Sequence, residues 1–128
     1  MIRPLLGIAL ALAAGQAVAA QSAQVGDAQS TMEAPVLHLR GLDTLNGTAS
    51  DIDMSVGETL RFGHLDITAE DCRVPRGDPK ADAFAFLKIR DIRDPAPRFA
   101  GWMFASSPAL SALDHPRYDV WVLSCSIN

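Results

Sequence analysis

Four side chains in one short stretch carry groups suited to acyl-transfer chemistry: the hydroxyls of Ser106 and Ser107, just before Pro108, and the acid and base of Asp114 and His115. A serine at a helix N-terminus, with a histidine base and an acid behind it, is the arrangement of a nucleophilic hydrolase. The spacing argues against it here. Asp114 and His115 are chain neighbours, so their side chains diverge and the acid is badly placed to orient that imidazole. The segment between them and the serines puts His115 a helical turn or more away, and no G-x-S-x-G elbow is present. The residues favour a structural reading, with Ser107 as an N-cap, Pro108 at the first helical position, a short helix over Ala109 to Leu113, and Pro116 ending it. A small hydrolase using Ser106 or Ser107 with His115 is the alternative, and the protein is expected not to be an enzyme.

Metal chemistry is equally poorly served. His38, His64 and His115 fall on a strand, a turn tip and a helix end, with no pair at ligand spacing, so no metal and no other cofactor is expected. The aromatics offer more. Trp102, Phe104, Tyr118 and Trp121 crowd the same stretch, and such rings can stack on a sugar or a peptide. Alternation puts Trp102 and Phe104 on one strand face and sets Trp121 opposite Tyr118, so all four cannot share a surface. Most belong to the core, and any binding is expected on an exposed rim around Trp102, His115 and Tyr118.

The elements that position these residues are legible in order. Residues 1–20 carry one positive charge at Arg3, an apolar run over Leu5 to Ala14 and a small-residue end, Ala17-Val18-Ala19-Ala20. That is the pattern of a cleaved secretory signal, too short and alanine-rich for a stable membrane span. Its removal takes the formal net charge from −4 to −5. An acidic chain with scattered Lys and Arg lacks the clustered basic surface that nucleic acid or anionic lipid requires. Only two cysteines exist, Cys72 and Cys125. In an oxidising compartment two distant cysteines form a structural disulfide rather than a redox pair, which would want C-x-x-C spacing.

Residues 21–35 read as a flexible leader and residues 36–128 as one β domain. Asn46-Gly47 suits a two-residue type I′ hairpin turn, and it sets Leu39 opposite Met54, Leu37 opposite Val56, Gly41 opposite Ile52 and Arg40 opposite Asp53. The Asn46-Gly47-Thr48 sequon is explained by that turn. Gly63-His64 suits a type II′ turn that pairs Phe62 with Leu65, Leu60 with Ile67 and Arg61 with Asp66. The proline- and glycine-bearing run from Arg73 to Asp82 is loop chemistry, including its Arg76-Gly77-Asp78 tripeptide. Ala83 to Ile92 alternates, with Ala83, Ala85, Leu87 and Ile89 on one face and Phe84 and Phe86 on the other. Phe99 to Phe104 forms the next strand. Tyr118 to Ser124 forms the last, with Tyr118, Val120 and Val122 opposing Asp119, Trp121, Leu123 and Cys125.

Three runs carry a resemblance: VGETLRFG from Val56, GWMFASSP from Gly101, and LDHP from Leu113 followed by YDVW from Tyr118. They look like the exported bacterial family catalogued as domain of unknown function 2155, found largely in alphaproteobacteria, over about Val36 to Cys125. The resemblance implies a periplasmic location in a Gram-negative cell and places Cys72 and Cys125 where that family's pair is expected. It carries over no catalytic residue.

The expected protein is all-β, a small sandwich or partly open barrel of about seven antiparallel strands with one short helix and one disulfide. Its expected role is a non-catalytic binding or interaction module of the periplasm that engages an envelope protein or cell-wall component. Stable membrane insertion after signal cleavage is not expected.

Overall fold

The computed structural model describes Gly15 and residues 30–128. Apart from Gly15, the expected signal segment lies outside the described residues, as does the expected leader up to residue 29. Eight strands follow: β1 (Thr31–Glu33), β2 (Val36–Asp43), β3 (Thr48–Ser55), β4 (Thr59–Phe62), β5 (Leu65–Pro75), β6 (Phe84–Asp91), β7 (Phe99–Phe104) and β8 (Tyr118–Ser126). They make two open antiparallel sheets. One runs β1-β5-β6-β7 with β4 also paired to β5, and the other runs β3-β2-β8. The expected all-β architecture stands, with one more strand than anticipated.

The inner faces are built by alternation. Leu37 and Leu39 of β2, Leu65, Ile67 and Ala69 of β5, Ala85, Leu87 and Ile89 of β6, Met103 of β7 and Val120 and Val122 of β8 fill the core between the sheets. Two breaks in alternation carry the disulfide. In β5 the register against β6 shifts between Ala69 and Asp71, so the inward face passes from odd residues to Cys72 and Val74. In β8 the register against β2 shifts as Leu39 faces Val122 while His38 faces Ser124, which leaves Leu123 as the extra residue. A bulge puts two residues opposite one and reverses the parity beyond it. Cys125 therefore turns into the core instead of sharing the outer face with Trp121, as unbroken alternation had suggested. It bonds to Cys72 across the sheets with Cα atoms 6.1 Å apart.

Other expectations are corrected locally. Thr31–Glu33, expected in the leader, pairs with Arg73–Pro75, expected in a loop, because β5 is eleven residues long and its second half needs a partner. Ala34 is fully buried behind it. The first hairpin closes through a four-residue loop, so Leu37 faces Met54, Leu39 faces Ile52 and Arg40 faces Asp51. The cause is Asp43. Its carboxylate accepts from the Leu45 and Asn46 backbone N–H groups and from the Asn46 amide, while Gly47, at φ 68°, donates its N–H to the Asp43 carbonyl. The slip is two residues, so each side chain keeps its face. The second hairpin has the expected register. The expected helix is a single 3-10 turn, Pro108–Leu110, and Ser107 makes no side-chain cap hydrogen bond to it.

Residues 72 and 125 close a loop of 53 residues. Replacing both with serine is expected to cost on the order of 4 kcal/mol of unfolding free energy, mostly through the unfolded chain, as read from urea titrations with and without the bond.

Candidate functional site

The inward face of β6 ends on a charge. Asp91 is 1% exposed and is the one buried charged residue among those described. A carboxylate in that position needs a full set of donors. Arg93, two residues on, supplies its Nε at 3.0 Å, its Nη2 at 2.8 Å and its backbone N–H at 2.9 Å. The remaining donor is His115, whose Nε2 lies 2.9 Å from Asp91 Oδ2 and whose side chain is also 1% exposed. The imidazole's other nitrogen, Nδ1, accepts the backbone N–H groups of Arg117 at 3.0 Å and Tyr118 at 3.1 Å. Nδ1 is thus an acceptor, and the ring proton sits on Nε2 and points at the carboxylate. The Arg93 guanidinium, then His115, then the Arg93 N–H hold the Asp91 carboxyl well below the usual carboxylate range.

The node reaches both sheets. Arg117 donates from Nε and Nη2 to the Asp43 carboxylate in β2 at 3.1 and 3.0 Å, and its guanidinium lies 5.1 Å from the Tyr118 ring centroid. Tyr118, 3% exposed, packs edge-on to Phe62 and accepts the His64 backbone N–H on its hydroxyl at 3.3 Å. Two glycines admit these rings. A Cβ at Gly63, where φ is +56°, would lie 2.5 Å from the Tyr118 hydroxyl, and one at Gly41 would lie 2.7 Å from Phe62 Cζ. GLDTLNG and LDHPRY are therefore one structure, although some seventy residues separate them.

The sequence-derived candidates are not brought together as a reaction centre. Ser106 turns to Asp82, with its hydroxyl 2.6 Å from Oδ2 and its N–H 2.9 Å from Oδ1. Ser107 makes only backbone hydrogen bonds, to Phe104 and Leu110. His115 has both ring nitrogens engaged and none left to accept a serine proton. The expected rim around Trp102, His115 and Tyr118 is likewise not one surface, because His115 and Tyr118 are interior while Trp102 lies on the outer face of β7. The other histidines sit apart. His38 bridges Asp53 and Ser126, and the buried Nδ1 of His64 has no partner. Among the described residues no three His, Cys, Asp or Glu side chains converge as metal ligands.

What the sequence reading missed is the company Trp102 keeps. Phe84 and Phe86 on β6 face outward beside it, because Phe86 pairs with Trp102 and Phe84 with Phe104 across the strands. The rings meet edge-to-face at 5.4 and 5.9 Å, and all four are half-buried. The two pairs sit in successive positions along the outer face of the larger sheet, next to its β7 edge, and make up a row of four rings. The signal lay in the pattern: counting Phe84 and Phe86 opposite Ala85 and Leu87 leaves them on the face away from the other sheet.

A family model described as an uncharacterized protein conserved in bacteria, DUF2155, matches residues 37–125. The chain belongs to that family. The matched span runs from the first core leucine of β2 to Cys125, so it takes in both sheets and the staple but leaves out β1. A relative named uncharacterized protein RP359, from Rickettsia prowazekii (strain Madrid E), is 31% identical over 88 residues, 66% of this chain and 56% of that protein. The chain thus spans little more than half the length of that relative. No solved structure matches. Among the described residues no helix is long and apolar enough to cross a membrane.

A carboxyl with a depressed folded pKa contributes stability that is present above its unfolded value of about 4 and is lost as pH falls through that value toward the folded one. Asp91→Asn in the DUF2155 domain is therefore expected to lower the thermal midpoint at pH 7 and to flatten its decline between about pH 5 and pH 2. Circular dichroism melts across that range test this, and an unchanged acid slope would count against it.

Proposed function

We propose that this DUF2155 domain is a non-catalytic binding module of the bacterial cell envelope. It is exported by its N-terminal signal to the periplasm, where it engages an envelope protein or cell-wall component through the outer row Phe84, Phe86, Trp102 and Phe104. The observation that carries this is the row itself: four rings gathered on an outer sheet face, with the inner face already supplied with a full apolar core. Large rings contribute most binding free energy per residue at recognition surfaces, and holding them in edge-to-face pairs lowers the entropy cost of ordering them on contact. A signal-like N-terminus and a disulfide suit an oxidising compartment. The hydrolase reading loses its base, since His115 is spent on Asp91 and on two backbone N–H groups.

A photocrosslinking side chain at position 86 is expected to give one discrete periplasmic adduct that disappears in Trp102→Ala. The same probe at exposed Ala49, on the other sheet, is expected to give none. Indistinguishable adduct patterns from the two positions would sink the proposal. A serine-reactive fluorophosphonate is expected to leave Ser106 and Ser107 unlabelled, and labelling at either, seen by peptide mass spectrometry, would restore the hydrolase.

A further inference from the structure

All but one of the strand carboxylates of this domain lie beside an Arg, Lys or His side chain. Glu33 and Asp71 lie by Arg73, Asp43 by Arg117, Asp51 by Arg40, Asp53 by His38, Asp66 by Arg61 and Arg90, Glu70 by Lys88, and Asp91 by Arg93 and His115. Asp119 of β8 is the exception. It is exposed, and its carboxylate makes no hydrogen bond or ion pair among the described residues; the carboxylates of Asp78 and Asp114, in loops, are alike in this but do not line the groove that Asp119 borders. Asp119 instead borders an open groove of about 350 Å³ between the 3-10 turn and β8, lined by Pro108, Ala109, Ala112, Asp119, Val120 and Trp121. Trp121 stands two residues along the same strand face, half-buried. Across the sheet Asp119 faces Leu42, and Arg40, which faces Trp121, is already paired with Asp51 at 2.8 Å. Leu110, the last residue of the 3-10 turn, adds apolar surface and is 77% exposed.

We infer that this groove binds a lysine or arginine side chain of a partner polypeptide, with the cation between the Asp119 carboxylate and the Trp121 indole and a flanking apolar residue against Leu110. A carboxylate and an aromatic face attract a cation jointly, and the small residues Ala109 and Ala112 leave room for its alkyl stem. The acidic net charge of the chain favours approach of a basic partner. The groove is separate from the aromatic row, on the other sheet, and does not depend on it.

The test is a titration of the Trp102→Phe protein, whose remaining indole is Trp121, with the capped peptide Ala-Leu-Lys-Leu-Ala and with its norleucine counterpart. The lysine peptide is expected to shift Trp121 emission saturably. The norleucine peptide and the Asp119→Asn variant are each expected to bind about fivefold more weakly. Phe86→Ala, which breaks the aromatic row, is expected to leave the titration unchanged. Equal binding of the two peptides, undiminished binding by a folded Asp119→Asn variant, or no saturable response to the lysine peptide would each overturn the inference.

Discussion

A single sealed carboxylate sets the terms for one end of this domain. Asp91 occupies the last inward position of β6, where alternation calls for an apolar residue, and an unpaired charge there would cost more than a domain of this size can spare. Arg93 is supplied locally, but the second partner, His115, must come from a segment with almost no regular structure of its own. Satisfying Asp91 fixes the imidazole. The imidazole's free acceptor then fixes the backbone of Arg117 and Tyr118, Arg117 locks onto Asp43, and Tyr118 seats against Phe62 and the Gly63 turn. A loop without helix or strand is thereby held in one place by a polar chain every member of which has its partner.

The opposite end is held covalently, and there the constraint is parity. Both cysteine-bearing strands carry a register break just before the cysteine, and each break swings the sulfur from the outer to the inner face. Removing either bulge would leave a thiol facing solvent. The bulge in β8 also has a consequence outside, since it lifts Leu123 out of alternation and leaves this large apolar side chain exposed on the surface. Stapling and surface chemistry are two results of the same extra residue.

Much of this was legible from sequence because it is periodic. The β4–β5 hairpin, the inward set of β6 and the limits of β7 follow from alternation and from a glycine at a turn. What escaped was aperiodic or tertiary. The bulges leave no mark in composition, so plain alternation puts Cys125 on the wrong face. Asp43, which captures the loop N–H groups and lengthens the first turn from two residues to four, competes with an Asn-Gly signal that on its own points to a tight hairpin. Thr31–Glu33 has too little pattern to declare itself a strand until β5 offers an edge. His115 reads as exposed from sequence because the pattern puts it at the end of a short helix. Its true partner is Asp91, twenty-four residues earlier, and the clue was that Asp91 falls on the inward parity of β6.

The segment richest in reactive-looking side chains is therefore a latch, and the aromatic row lies elsewhere, on the outside of the larger sheet. That distinction rests on the protonation pattern of one ring. Long-range proton–nitrogen NMR correlation of the His115 imidazole at neutral pH tests it most directly. The account predicts a neutral ring with a slowly exchanging Nε2–H and a hydrogen-bonded, unprotonated Nδ1. A ring that exchanges freely with water, or one protonated at Nδ1, would contradict it.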